Sequence, residues 1–273
     1  MHQITAQHNK PGRGVWRAWL VALSIAVGIA NPLHSLPGRA QSQENIPPEL
    51  RNVLTELDTA ANSQNLQKVL QFYAPTFSHS DGLTYQSLEQ ALTNLWKQFS
   101  NLTYKTELKS WKSEGNGFLT ETVTRITGTQ KVGNREWKID STLRAQQRLE
   151  NQKIVRQEIL AERSELTSGA KPPSVNLNLP EQVTVGQEFS FDAIVQEPLG
   201  TDLLLGTALE ETVKPDGLLK PTLTDLELLS AGGIFKVGRA PLTPQSRWLS
   251  AVLVRQEGIT LITQRLRVVN RNK

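Results

Sequence analysis

Around Ser100 the spacing of apolar residues changes from threes and fours to twos, so the chain must place helices and strands against one another. Before the change, Leu50, Val53, Leu54, Leu57 and Ala61 mark one helical face. Leu66, Val69, Leu70 and Tyr73 mark a second, short helix that Pro75 ends. Thr84–Phe99 is a third helix with the stripe Leu88, Leu92, Leu95 and Phe99, and Thr84 and Ser87 supply capping oxygens at its start.

After the change, segments near 103–113, 117–129, 135–149 and 152–163 read as four long strands. Gly115-Asn116-Gly117, Val132-Gly133-Asn134 and Glu150-Asn151-Gln152 stand at their joints. In the third strand Trp137, Ile139, Ser141, Leu143, Ala145 and Leu149 share one face, and Lys138, Asp140, Arg144, Gln146 and Arg148 share the other. In the fourth, Val155, Gln157, Ile159 and Ala161 oppose Arg156, Glu158 and Glu162. A sheet apolar on one face and charged on the other, preceded by three helices, makes an α+β unit.

The stretch Thr167–Ser174, TSGAKPPS, reads as a break, with a linker at 168–174. Beyond it the text is all-β. Val183 and Val185 alternate, as do Phe189, Phe191, Ala193 and Val195. Apolar runs at 203–209, 234–237, 248–255 and 259–269 follow, punctuated by Gly and Pro. Strands at this spacing predict a small sandwich-like domain over 175–270. The run Ala231–Pro241, AGGIFKVGRAP, lacks the GK[ST] ending of a phosphate loop and reads as strand and turns joining sandwich edges. Its Gly232-Gly233 pair lets another backbone approach closely.

The pI near 9.3 raises the question of a nucleic-acid partner. Residues 1–40 hold Lys10, Arg13, Arg17 and Arg39 and no acidic residue, and without them 26 basic side chains balance 26 acidic ones. Nucleic acid is excluded as a leading partner. The basic stretch instead opens a secretory signal. Lys10, Arg13 and Arg17 precede the apolar run Ala18–Ala30, which is too short to span a bilayer, and Gly38-Arg39-Ala40 predicts cleavage after Ala40. The expectation is an exported protein that meets a membrane only through its signal peptide. The chain has no cysteine, so disulfides and thiol chemistry are excluded. Its four histidines are His2, His8, His34 and His79, of which export leaves one, too few for a familiar zinc site. No metal and no cofactor is expected.

The stretch Phe72–Leu92, FYAPTFSHSDGLTYQSLEQAL, carries a resemblance. Together with the order of elements over about residues 46–167, it resembles the nuclear transport factor 2-like superfamily, which includes SnoaL-like and ketosteroid-isomerase-like proteins. The resemblance implies a cone in which a curved sheet wraps the helices around a pocket, often dimeric through the sheet. The whole arrangement, signal plus cone plus β-domain, also resembles exported proteins of cyanobacteria. That implies the periplasm or the thylakoid lumen, with the extracellular space as a further destination.

The candidate site follows from these residues. In an extended stretch Phe77, His79 and Asp81 point the same way, so His79 and Asp81 are either a general base with its orienting partner or the turn that Asp81-Gly82 commonly makes. Glu121 is the mid-strand acid of open facing, either a base or the partner of Arg125 in an ion pair. Enzymes of the superfamily set a carboxylate base deep in the cone opposite an oxyanion donor; ketosteroid isomerase is the standard example. Here Asp140, Glu158 and Glu162 fall on the charged face, and Tyr73, Tyr85 and Tyr104 read as packing groups. The residues assigned to a ligand-binding wall are Tyr73, His79, Asp81, Trp96, Trp137 and Gln157, with plain core packing as the alternative for the tryptophans.

Three functions fit. The first is a non-catalytic exported protein that binds a small apolar or amphipathic ligand, or that interacts with protein as a homodimer or with an envelope partner. The second is a SnoaL-like isomerase or hydrolase using Asp81 or Glu121 as base. The third is a scaffold of an envelope or lumenal assembly.

Overall fold

The structure is a computed structural model that describes residues 46–99, 101–213 and 225–271; the expected signal peptide at 1–40 lies outside them. Helices α1 (Pro48–Asn62) and α2 (Leu66–Gln71) lead into strand β1 (Tyr73–His79), and α3 (Tyr85–Gln98) follows. Four long strands come next: β2 (Thr103–Glu114), β3 (Gly117–Val132), β4 (Arg135–Glu150) and β5 (Lys153–Gly169). The rest is β6 (Val175–Asn178), β7 (Gln182–Thr184), β8 (Glu188–Val195), β9 (Leu205–Thr212), β10 (Glu227–Leu228), β11 (Gly233–Arg239), β12 (Gln245–Arg255) and β13 (Gly258–Val269). Among the described residues no helix is long and apolar enough to cross a membrane.

The helices form where the apolar stripe predicts. Leu50, Val53, Leu54, Leu57, Ala60 and Ala61 of α1 are buried, and α3 starts at a capping box in which Thr84 and Ser87 satisfy each other's backbone N–H. The second helix is shorter than expected. It ends at Gln71, and Tyr73 and Pro75 belong to β1, which pairs in parallel with β5. The ladder registers Tyr73 on Ile154 and resumes only at Ser78 on Arg156. Pro75 sits in that gap, where its missing N–H forfeits no ladder bond.

One free edge of the long sheet is covered from within. Asp58 and Asn62, one turn apart on α1, face β2. Asn62 Nδ2 donates to Tyr104 O at 2.8 Å, Tyr104 N donates to Asn62 Oδ1 at 2.7 Å, and Thr106 N donates to Asp58 Oδ2 at 2.6 Å. Edge groups that another strand would otherwise take are thus bonded to a helix.

The described strands form a ten-stranded sheet along the path β10-β9-β12-β13-β5-β4-β3-β2, with β1 on β5 and β7 on β13, and a three-stranded sheet β11-β8-β6. This moves the start of the expected linker: residues 170–174 lie outside any strand, but the two before them do not. Ser168 and Gly169 are the last residues of β5 and pair with Ile259 and Gly258 of β13, in a seam that runs to Arg163 opposite Gln264. The small residues that read as a linker are there because two hairpin ends meet: a side chain at Gly169 would lie 2.3 Å from Glu257 O. In place of a self-contained sandwich, one leaf of the C-terminal part is the same sheet that carries the helices.

The two faces of that sheet are covered at opposite ends. Helix residues pack with Tyr104, Ile126, Trp137, Leu149 and Leu166 on one face. The three-stranded sheet packs Phe189, Phe191 and Ile234 against Leu249, Leu253, Ile262 and Leu266 on the other. Both parts depend on β5 and β13 being neighbours. Residues 46–169 made alone will therefore expose the long β5 edge and fail to give a monomeric folded species in size-exclusion chromatography and hydrogen exchange. A protected monomer from that fragment would show the seam to be dispensable.

Candidate functional site

Residues of β5 do not keep a single alternation. Arg144 pairs with Ala161, but the next residue, Ala145, pairs with Ile159, so Leu160 is an extra residue on β5. A second shift leaves Val155 extra, between Arg156 opposite Arg148 and Ile154 opposite Leu149. Each bulge changes the facing of everything beyond it by one step. Ile154 replaces Val155 on the helix side, and Glu162 replaces Ala161. Glu162, expected on the charged face, is buried beneath the helices' face of the sheet.

It is met there by an arginine from the far end of the chain. On β13, Ile259, Leu261, Thr263 and Arg265 share the inward face, and Arg265, opposite Trp248, is only 2% exposed. Its Nη1 donates to Asp81 Oδ1 at 3.0 Å and its Nη2 to Asp81 Oδ2 at 2.8 Å, a two-pronged pair. Its Nε and Nη2 donate to Glu162 Oε2 at 3.1 and 2.9 Å. Trp248 Nε1 donates to the same oxygen at 3.2 Å, and the guanidinium carbon lies 5.8 Å from the Trp248 ring centre. Three segments, the turn after β1, the bulged β5 and β13, thereby converge on one cation.

The HSDG motif is the receiving end. Gly82 N donates to His79 O at 2.9 Å, and Gly82 takes φ 87°, a conformation glycine adopts without strain. Asp81 N donates to His79 Nδ1 at 3.1 Å, so that nitrogen carries no proton and the ring is neutral. Ser80 N donates to Gln157 O at 2.9 Å, and Ser80 Oγ accepts from Ile159 N at 3.2 Å, fastening the turn to β5. His79 Nδ1 stands 3.7 Å from Asp81 Oδ2 with no proton between them. The acid that orients a basic histidine must accept an N–H from it, and this pair lacks that bond.

Protonation follows the geometry. Burial pushes the Asp81 carboxyl up, but the hydrogen bonds and charge of Arg265 outweigh it and hold the group below its ordinary range. Burial raises Glu162 more than Arg265 and Trp248 lower it. Burial would lower Arg265, and the carboxylates around it more than offset that. For His79, burial dominates over the nearby Asp81 and brings the pKa from 6.5 down to about 4.

The other expected residues lie elsewhere. Glu121 pairs across to Gln146 on the outward face, 3.9 Å from Arg144 Nε, and Arg125 is bonded to Asp140, so the expected Glu121–Arg125 pair is not formed. Tyr73 is buried edge-on against Phe77 at 5.0 Å, and Trp96 Nε1 donates to the Tyr104 hydroxyl at 2.9 Å. Gln157 lies beside His79 in the ladder and accepts from Gln147 Nε2 at 2.9 Å. Trp137 is buried near the opposite end of β4. A concave space of about 760 Å³ opens at the rim between Arg135, Glu136 and Lys138 of β4, the end of β5 and the turn from β12 to β13, and none of the expected site residues lines it.

Sequence reasoning missed Glu162, Trp248 and Arg265. The one local signal was the unbroken apolar triplet Ile159-Leu160-Ala161, which interrupts the alternation where the bulge falls.

Residues 170–269 match a family described as "Domain of unknown function (DUF8623)". No curated protein matches the chain. Among solved structures, Bd1075 of Bdellovibrio bacteriovorus is 18% identical over 41% of this chain and 40% of its own length, with a TM-score of 0.31. A protein with a ketosteroid isomerase-like fold from Catenulispora acidiphila, in complex with trimethylamine, is 12% identical over 39% of this chain and 82% of its own, with a TM-score of 0.29. An LEH-like epoxide hydrolase of Mycobacterium tuberculosis is 9% identical over 41% of this chain and 80% of its own, with a TM-score of 0.30. These likenesses bring no activity to this chain.

Two measurements test the buried centre. Arg265→Gln leaves two buried carboxyl groups without their cation and will cost about 3–5 kcal/mol in urea unfolding; a loss near zero would mean the cluster is solvated. His79 sets a pH dependence. Above pH 6.5 the ring is neutral in both states, and between 6.5 and about 4 the unfolded chain takes up a proton that the folded one refuses. Stability therefore falls as pH falls through that window, by about 3 kcal/mol at most for this group. Asp58, raised by burial to about 6, acts with the opposite sign. The readout is accordingly the difference between wild type and His79→Asn, which retains an acceptor for Asp81 N–H. The gap should change across pH 6.5–4 in favour of the variant, and a constant gap would contradict the neutral ring.

Proposed function

We propose that this is an exported, non-catalytic interaction protein of the periplasm or thylakoid lumen, which works through its outer surfaces rather than through an acid–base centre. The observation that carries this reading is the pairing of Asp81 with Arg265. The carboxylate best placed to act as a base spends both oxygens on a buried guanidinium, and Glu162 lies behind the same cation. A base held this way is weak, since protonating it would break the pair. Glu121, the other candidate, faces outward beside Arg144. An isomerase or hydrolase loses both of its proposed bases to these contacts. The wall residues Tyr73 and Trp96 belong to the packed core under the helices, which favours contact with protein over enclosure of a small apolar ligand.

The test is native mass spectrometry of the full chain expressed in a producing cell and recovered after export. The expected ion begins after Ala40 and forms a protein assembly without a bound small molecule. A stoichiometric small-molecule adduct, or turnover that Asp81→Asn abolishes in a folded protein, would overturn the reading.

A further inference from the structure

Strand β11 ends the three-stranded sheet, and no described strand lies on its outer side. The ladder identifies which of its backbone groups are free. Val195 N donates to Gly232 O and Ala240 N donates to Gln187 O, and the register between them sets Ile234, Lys236 and Gly238 against Ala193, Phe191 and Phe189 of β8. Antiparallel bonding alternates along a strand, so these even-numbered residues bond to β8. Phe235 and Val237 direct both N–H and C=O outward. Their side chains stand on the sheet's solvent face, 54% and 76% exposed, although the neighbouring Ile234 is 3% exposed. A Cβ at Gly238 would lie 2.5 Å from the Phe189 ring, so glycine lets the strand pass close over that side chain. An edge with free backbone groups and exposed apolar side chains is what another strand adds to.

We infer that β11 pairs with β11 of a second copy of this chain, antiparallel about a two-fold axis at Val237. The side chains select this occupant and this register. An axis at Lys236 would set two ammonium groups directly opposite. An axis at Phe235 would put Val237 against Gly233 and Lys236 against the buried Ile234. An axis at Val237 sets Val237 on Val237, a favourable β-branched pair, and Arg239 of each copy over Phe235 of the other. Arg239 already lies beside Glu188 of β8, and Phe235 beside Asp192, so the joined sheets continue each row of alternating character. Lys236 falls against Gly238, where no like charge faces it. The result is a six-stranded sheet with the interface closed by symmetry.

The absence of cysteine gives a clean test on the full exported chain. In a bonded antiparallel pair the facing Cα atoms are about 5.5 Å apart, within disulfide reach. Val237→Cys should form an intermolecular disulfide under mild oxidation, at a rate roughly tenfold or more above Phe235→Cys, whose mate would be Arg239. Sedimentation should show a dimer that Val237→Pro weakens by roughly tenfold or more, since the lost N–H serves only the second copy. Val237→Lys should do the same by placing like charges on the axis while keeping every backbone bond. Circular dichroism reports whether each variant is folded. A wild type that stays monomeric throughout the micromolar range overturns the inference. So does a dimer that neither folded variant weakens, or one in which Phe235→Cys cross-links faster than Val237→Cys.

Discussion

The seam between β5 and β13 carries the whole architecture, and Arg265 is the residue that sets its register from inside. Seven ladder pairs join the strands from Gly169–Gly258 to Arg163–Gln264. Alternation alone would let β13 slide, since Ile262, Gln264 and Leu266 make a passable apolar face and Ile259, Leu261 and Thr263 another. A slip by one residue would turn Arg265 into the cluster of Phe191, Leu249 and Leu253, away from both carboxylates. The energetic consequence is lopsided. A buried ion cluster adds little net stability when formed, because desolvation offsets much of the attraction, but a stranded buried charge costs several kcal/mol. The cluster therefore acts mainly against wrong registers.

That role changes the meaning of the HSDG turn. The turn is bonded to β5 through Ser80, and it presents Asp81 to a strand 184 residues away. A histidine and an aspartate two residues apart resemble a catalytic pair only while the rest of the chain is out of view. With β13 in place, the aspartate belongs to the arginine, and the histidine is a neutral acceptor for the backbone of the turn. Both residues are explained by the joining of two halves.

The edges of the assembly are handled unequally. At β2 the backbone of Tyr104 and Thr106 is bonded to Asn62 and Asp58 of α1, which blunts the first part of that edge. At β11 the corresponding groups of Phe235 and Val237 point away from β8, beside exposed apolar side chains. One edge is thus partly occupied by a helix, and the other carries exposed apolar side chains.

The sequence by itself determined the elements: three helices from the three-and-four spacing, the long strands from alternation, and the cap of α3 from Thr84 and Ser87. Each depends on residues within a few positions of one another, where backbone geometry makes period and structure equivalent. It also offered HSDG as a turn, beside the reading as an acid–base pair. Tertiary structure decided everything that hangs on register. The bulge at Leu160 turned Glu162 inward, the joining of β5 to β13 drew the first two residues of the expected linker into a shared sheet, and Arg265 found Asp81. Alternation reports that side chains take turns but not where the count restarts, and a partner 184 residues away leaves no periodic trace. The site was invisible for that reason, since each of its members looked locally like a turn, a surface charge or a strand residue.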